Sequence, residues 1–82
     1  MMTQKNTKKE AKQIKEELEE CDYMNYYNFK IDSDNDILIT ANNDLGIIAG
    51  CDMDSFISIA KKYENDYYMS MNNNKMTFII HK

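Results

Sequence analysis

The sequence predicts an α+β domain: a mainly antiparallel sheet with two helices packed on one face, in the order α-β-β-β-α-β-β. Two segments, residues 7–22 and 52–64, repeat apolar side chains at helical spacing. Between them the odd-numbered positions Tyr27, Phe29, Ile31, Ile37, Ile39, Ala41, Leu45, Ile47 and Ala49 are apolar, which is the period of a half-buried strand. Clusters of Asn and Asp separate the apolar runs, and these residues favour turns because they tolerate the left-handed conformation. Eighty-two residues, 43% hydrophobic and 29% charged, are enough for one domain with one core. At about 0.05–0.15 kcal/mol per residue such a chain is stable by about 4 to 12 kcal/mol, so each core side chain carries weight.

Residues 1–6 are polar and expected to fray. From Thr7 to Asp22 helix formers dominate, with a narrow apolar stripe of Ala11, Ile14, Leu18 and Cys21. Lysines come first and glutamates last, against the helix dipole, and Lys12 with Glu16 and Lys15 with Glu19 have the weaker pair orientation. This helix therefore has to lean on a neighbour. Three strands follow, carrying Tyr27, Phe29 and Ile31, then Ile37, Ile39 and Ala41, then Leu45, Ile47 and Ala49, the last ending at Cys51. Their apolar residues share a face only if paired positions are both odd, which requires odd-length loops centred near Asn35 and Asn43.

Asp52 or Asp54 is then expected to cap a helix running to about Glu64, whose face of Met53, Phe56, Ile57, Ala60 and Tyr63 belongs in the core. A final hairpin, Tyr67 to Met71 and Lys75 to His81, has Asn73-Asn74 at its tip, a pair suited to a type I′ turn. That turn sets Met71 opposite Met76, Met69 opposite Phe78 and Tyr67 opposite Ile80. With both helices on one side, the opposite parity faces outward. Its large apolar members Tyr26, Leu38, Ile48, Tyr68 and Ile79 form a candidate partner-binding surface, because contiguous exposed apolar patches mark interfaces and Tyr is a preferred anchor.

The chemistry-bearing inventory is short. There is no Arg, Trp or Pro, two Gly, and one His at position 81, one residue from the end. No glycine-rich phosphate loop is present, since Gly46 and Gly50 are not followed by Lys-Ser/Thr. Asp32-Ser33-Asp34-Asn35-Asp36 matches the first ligand positions of a calcium loop. However, Ile37 stands where Gly is needed and Asn43 where a bidentate Glu is needed, so a hairpin turn accounts for the run. Cys21 and Cys51 lack metal-ligand spacing and a basic neighbourhood, and are expected to be reduced, buried small hydrophobes. We expect no catalytic residues, no metal, no cofactor and no enzymatic activity.

Charge is divided along the chain. Residues 1–15 hold five Lys and one Glu, whereas residues 16–82 hold five Lys and thirteen acids. An acidic body without arginine is poorly suited to phosphate, so direct nucleic-acid binding is disfavoured. The order from the first helix to the second matches that of double-stranded-RNA-binding domains over residues 7–64. Where that family places a basic motif, this chain has Asp52, Met53, Asp54 and Ser55, so the function does not transfer. Two acidic clusters, Glu16, Glu17, Glu19, Glu20 and Asp22 on the first helix and Asp32, Asp34 and Asp36 in the turn, offer a second candidate binding surface.

In size, charge and mixed build the chain is similar to small acidic single-domain proteins encoded by phages, anti-CRISPR proteins among them, though it shares no motif with them. The sequence therefore points to a non-catalytic module that occupies a protein partner as inhibitor or regulator, in its sharpest version of a nucleic-acid-handling or defence enzyme. The rival readings are a homodimer or assembly component pairing through its sheet face, and a small-ligand-binding protein. Without a secretory leader pattern or an apolar run near 18 residues, a cytoplasmic protein with no membrane contact is expected.

Overall fold

Thr7 starts the first helix with a capping box: the Glu10 N–H donates to Thr7 Oγ1 at 3.1 Å and the Thr7 N–H donates to Glu10 Oε1 at 2.8 Å. These bonds hold the Glu10 carboxyl below the ordinary carboxylate range. In the computed structural model, which describes residues 5–82, the helix α1 spans Lys8–Glu20, and Ala11, Ile14 and Leu18 are fully buried. The strands are β1 (Tyr27–Ile31), β2 (Ile37–Ala41), β3 (Asp66–Asn72) and β4 (Lys75–His81), with helix α2 (Gly50–Lys62) between β2 and β3. They form one antiparallel sheet in the order β1-β2-β4-β3.

The expected registers of the first and last hairpins are present. Tyr27 faces Ala41, Phe29 faces Ile39 and Ile31 faces Ile37, with Asn35 at φ 61° in the turn. Tyr67 faces Ile80, Met69 faces Phe78 and Met71 faces Met76, across Asn73 and Asn74 at φ 53° and 63°, the two positive angles of a type I′ turn. The buried side chains of β1, β2 and β4, among them Ile37, Ile39, Phe78 and Ile80, share one face with those of α1 and α2, so both helices lie on that face. Phe56 of α2 sits among three rings, with centroids 5.4 Å from Tyr27, 6.3 Å from Phe29 and 6.0 Å from Phe78. Glu17 of α1 ties the helices together, accepting from Lys62 Nζ at 2.8 Å and from the Tyr63 hydroxyl. The Lys62 bond, then the Tyr63 bond, lowers the Glu17 carboxyl below its ordinary range.

Leu45–Cys51 does not form the expected third strand. Both sides of β2 are already taken, by β1 and β4, so the segment finds no free edge on the strand it would pair with. Gly46 turns the chain to φ 67°, and a side chain there would meet the Asn74 carbonyl oxygen at 2.7 Å. α2 consequently begins at Gly50 rather than at Asp52 or Asp54, with Ala49 as an N-cap that makes no side-chain bond. The N-terminal expectation changes as well. Residues 1–4 lie outside the described residues, but Lys5 Nζ pairs with Asp34 at 2.7 Å, and Asn6 is buried, donating to Asn65 Oδ1 at 2.7 Å.

Candidate functional site

The sheet face opposite the helices is less apolar than the sequence implies. Lys30, Leu38, Ile79 and Tyr68 lie in one row across the four strands. Ile79, flanked by Leu38 and Tyr68, is only 7% exposed, Leu38 is half-buried, and Tyr68 is the one widely exposed apolar side chain of the row, its ring edge against His81. Ile48 is not on this face: with the third strand unformed, it turns inward and is buried in the core under the helices. Tyr26 is exposed in the loop before β1 and does not stand on the sheet. The five residues expected to form one surface are thus divided among the sheet, the core and a loop.

The structure assembles a different apolar surface from two loops. One, Cys21 to Tyr26, joins α1 to β1; the other, Asn42 to Ala49, joins β2 to α2. With the first turn of α2 they enclose an open, mainly apolar groove of about 550 Å³. Tyr23, Met24, Leu45 and Ile47 line it and are 90%, 65%, 77% and 47% exposed, a concentration of uncovered apolar area found nowhere else in the loops among the described residues. Three carboxylates, Asp22, Asp44 and Asp52, lie among its lining and no lysine does.

Each loop is held by side-chain bonds to its backbone. Asp22 uses both carboxylate oxygens as acceptors, for the Tyr26 N–H at 2.8 Å and the Tyr27 N–H at 3.1 Å, and Asn25 takes φ 55° to close the turn. In the second loop Asn43 donates to the Ile47 carbonyl at 2.7 Å and accepts the Ile47 N–H at 3.3 Å, while the Gly46 carbonyl accepts the Met76 N–H at 2.7 Å. The loops are therefore fixed while their apolar side chains point to water, an arrangement that lowers the ordering cost of binding.

Tyr27 forms the groove's inner wall. Its hydroxyl donates to Asp52 and accepts the Ala49 N–H at 3.3 Å, joining β1 to the start of α2. Burial, followed by the Asp52 bond, pushes its phenol up to about 12 from an ordinary 10. A pKa raised on folding contributes stability that is complete below pH 10 and disappears as pH rises through about 12. An alkaline absorbance titration should accordingly show one of the six tyrosines ionising last, with unfolding accompanying it. Tyr27→Phe should remove that late step and cost about 1–3 kcal/mol, the loss of a part-buried hydrogen bond to the Asp52 carboxylate. An unchanged titration in the variant would refute the assignment.

The cysteines also depart from expectation, since Cys51 is exposed on the first turn of α2 and Cys21 half-buried, and both line the groove. The early start of α2 is what turns Cys51 outward. Burial, reinforced by Glu20, raises the Cys21 thiol.

The acidic clusters serve largely structural roles. Glu17 and Asp22 are engaged as described, and Glu19 pairs with Lys15 at 3.4 Å, while Glu16 and Glu20 are exposed and make no side-chain bond among the described residues. In the turn, Asp32 Oδ1 accepts the N–H groups of Asp34 and Asp36 at 2.8 and 3.0 Å. The carboxylates of Asp32, Asp34 and Asp36 lie within 4.8 Å of one another, and burial with Asp32 nearby raises the Asp36 carboxyl. The bound Lys5 ammonium offsets that charge.

No protein-family model matches the chain, and no similar curated protein or solved structure is found. Among the described residues no helix is long and apolar enough to cross a membrane.

Proposed function

We propose that this chain is a small non-catalytic interaction module that inhibits or regulates a protein partner by taking one of its side-chain clusters into the two-loop groove. The observation that carries this reading is the pairing of rigidly bonded loop backbones with apolar side chains left in water at Tyr23, Met24 and Leu45. The occupant's chemistry follows from the lining: apolar side chains to cover these, flanked by Lys or Arg to meet Asp22, Asp44 and Asp52. The open form of the groove favours a macromolecule, because small-ligand sites enclose most of their ligand. Proteins that handle nucleic acid carry basic surfaces of this kind, and the body of this chain holds thirteen acids against five lysines. An inhibitor of such an enzyme is the sharpest version of the reading.

The test places a photo-crosslinking residue at position 45 or, as control, at the exposed Gln13 of α1, in the cells that make the protein. Position 45 should yield one discrete adduct that disappears with Tyr23→Ser and maps to an apolar, Lys- or Arg-flanked segment of the captured protein. Adducts given equally by both positions, or none from position 45, would overturn the assignment.

A further inference from the structure

Strand β3 is an edge strand of unusual exposure: all seven of its residues, Asp66–Asn72, are exposed, and among the described residues no strand pairs with its outer side. Proteins blunt such edges with Lys, Pro, bulges or a covering loop, since an open row of N–H and C=O groups invites another chain. The other edge, β1, has Lys30. β3 has none of these devices, and its only charge is Asp66 at its first position. Its helix-facing side shows Tyr67, Met69 and Met71, with the Tyr67 ring stacked on Phe78 at 5.4 Å.

We infer that β3 is where two copies of this chain pair, edge to edge and antiparallel about a two-fold axis at Met69, giving one eight-stranded sheet. This goes beyond the groove reading and does not depend on it, because no β3 residue lines the groove. A two-fold axis normal to a sheet keeps each face on its own side, so a residue can oppose only one of its own parity, and one position must oppose itself. With Met69 at that position, Tyr67 meets Met71, Tyr68 meets Ser70 and Asp66 meets Asn72. The helix-side row then runs continuously through both copies as Tyr67, Met69 and Met71 against Met71, Met69 and Tyr67. Like charges do not meet: the two Asp66 carboxylates stand at opposite ends of the ladder, about 20 Å apart at about 3.3 Å per residue. That exceeds the screening length of about 8 Å at physiological salt. The segment is thus self-complementary in length, face and charge.

The register makes a position-specific test. Directly opposed residues have Cα atoms about 4.5–5.5 Å apart, within the range a disulfide spans, whereas Met71 and its symmetry mate are about 13 Å apart along the strands. In a Cys21→Ser, Cys51→Ser background, Met69→Cys should crosslink to a dimer under mild oxidation and Met71→Cys should not. Light scattering on the unmodified protein at tens of micromolar should give twice the 9.7 kDa chain mass, and Met69→Lys, placing two ammonium groups at the axis, should return it to one chain with an unchanged circular dichroism spectrum. A single-chain mass without the crosslink would overturn the inference, including the case where β3 pairs instead with another protein's strand. A dimer that survives Met69→Lys and fails to crosslink through Met69→Cys would also overturn it, by locating the contact elsewhere.

Discussion

Ile48→Asp is expected to abolish folding, whereas Leu45→Asp, three residues earlier in the same loop, leaves the fold intact. Ile48 is 5% exposed and packed in the core cluster, while Leu45 is 77% exposed. A carboxylate forced into an apolar interior without a partner costs several kcal/mol, a large share of a total stability of about 4 to 12 kcal/mol. At Leu45 the same carboxylate stays in water and should change stability by no more than about 0.5 kcal/mol. Urea unfolding followed by circular dichroism decides between them. Equal tolerance at both sites would mean that the loop does not place Ile48 inward, and the groove built on that loop would be wrong with it.

The second large effect is expected at Phe56→Ala. The Phe56 ring is the only one in contact with Tyr27, Phe29 and Phe78 together, so it joins α2 to three of the sheet's inner side chains. Removing a buried phenyl ring costs about 3–5 kcal/mol through lost transfer energy and the cavity left behind. In a domain stable by about 4 to 12 kcal/mol, that loss should lower the urea midpoint by about a quarter or more. A shift below 1 kcal/mol would show that the core closes around the gap, which the surrounding rings leave little freedom to do.

Most of the fold was legible because local chemistry and period agreed. Asn35 and the Asn73-Asn74 pair occupy positive φ, and the parity of the apolar residues then fixes both hairpin registers. The third strand failed for a non-local reason. Leu45, Ile47 and Ala49 alternate as a strand should, but whether β2 has a free edge depends on β4, thirty residues later, which occupies it. The two glycines bracketing Ile47-Ile48-Ala49 were the one local sign against a regular strand.

The missing third strand displaces the candidate surface. Leu45 and Ile47, which as strand residues would face the helices, stand instead in a loop. Tyr23 and Met24, between Asp22 and Asn25, show no period at all, and their exposure follows from Asp22 turning both oxygens onto the Tyr26 and Tyr27 amides. The acidic clusters were visible as charge, but not as the cap, turn and interhelix bonds that most of them make.

The groove as the partner-binding surface is tested most directly by titrating the crosslinked partner, once purified, against the unmodified protein, Leu45→Ser and Leu38→Asp, at low and high salt. Loss of an anchoring apolar side chain should weaken binding about tenfold or more in Leu45→Ser, since an interface anchor contributes about 1.4 kcal/mol or above. Leu38→Asp, on the far face of the sheet, should bind as the unmodified protein does, and salt should weaken binding only modestly. The opposite pattern, in which Leu38→Asp abolishes binding and Leu45→Ser does not, would return the interface to the open sheet face and contradict the account.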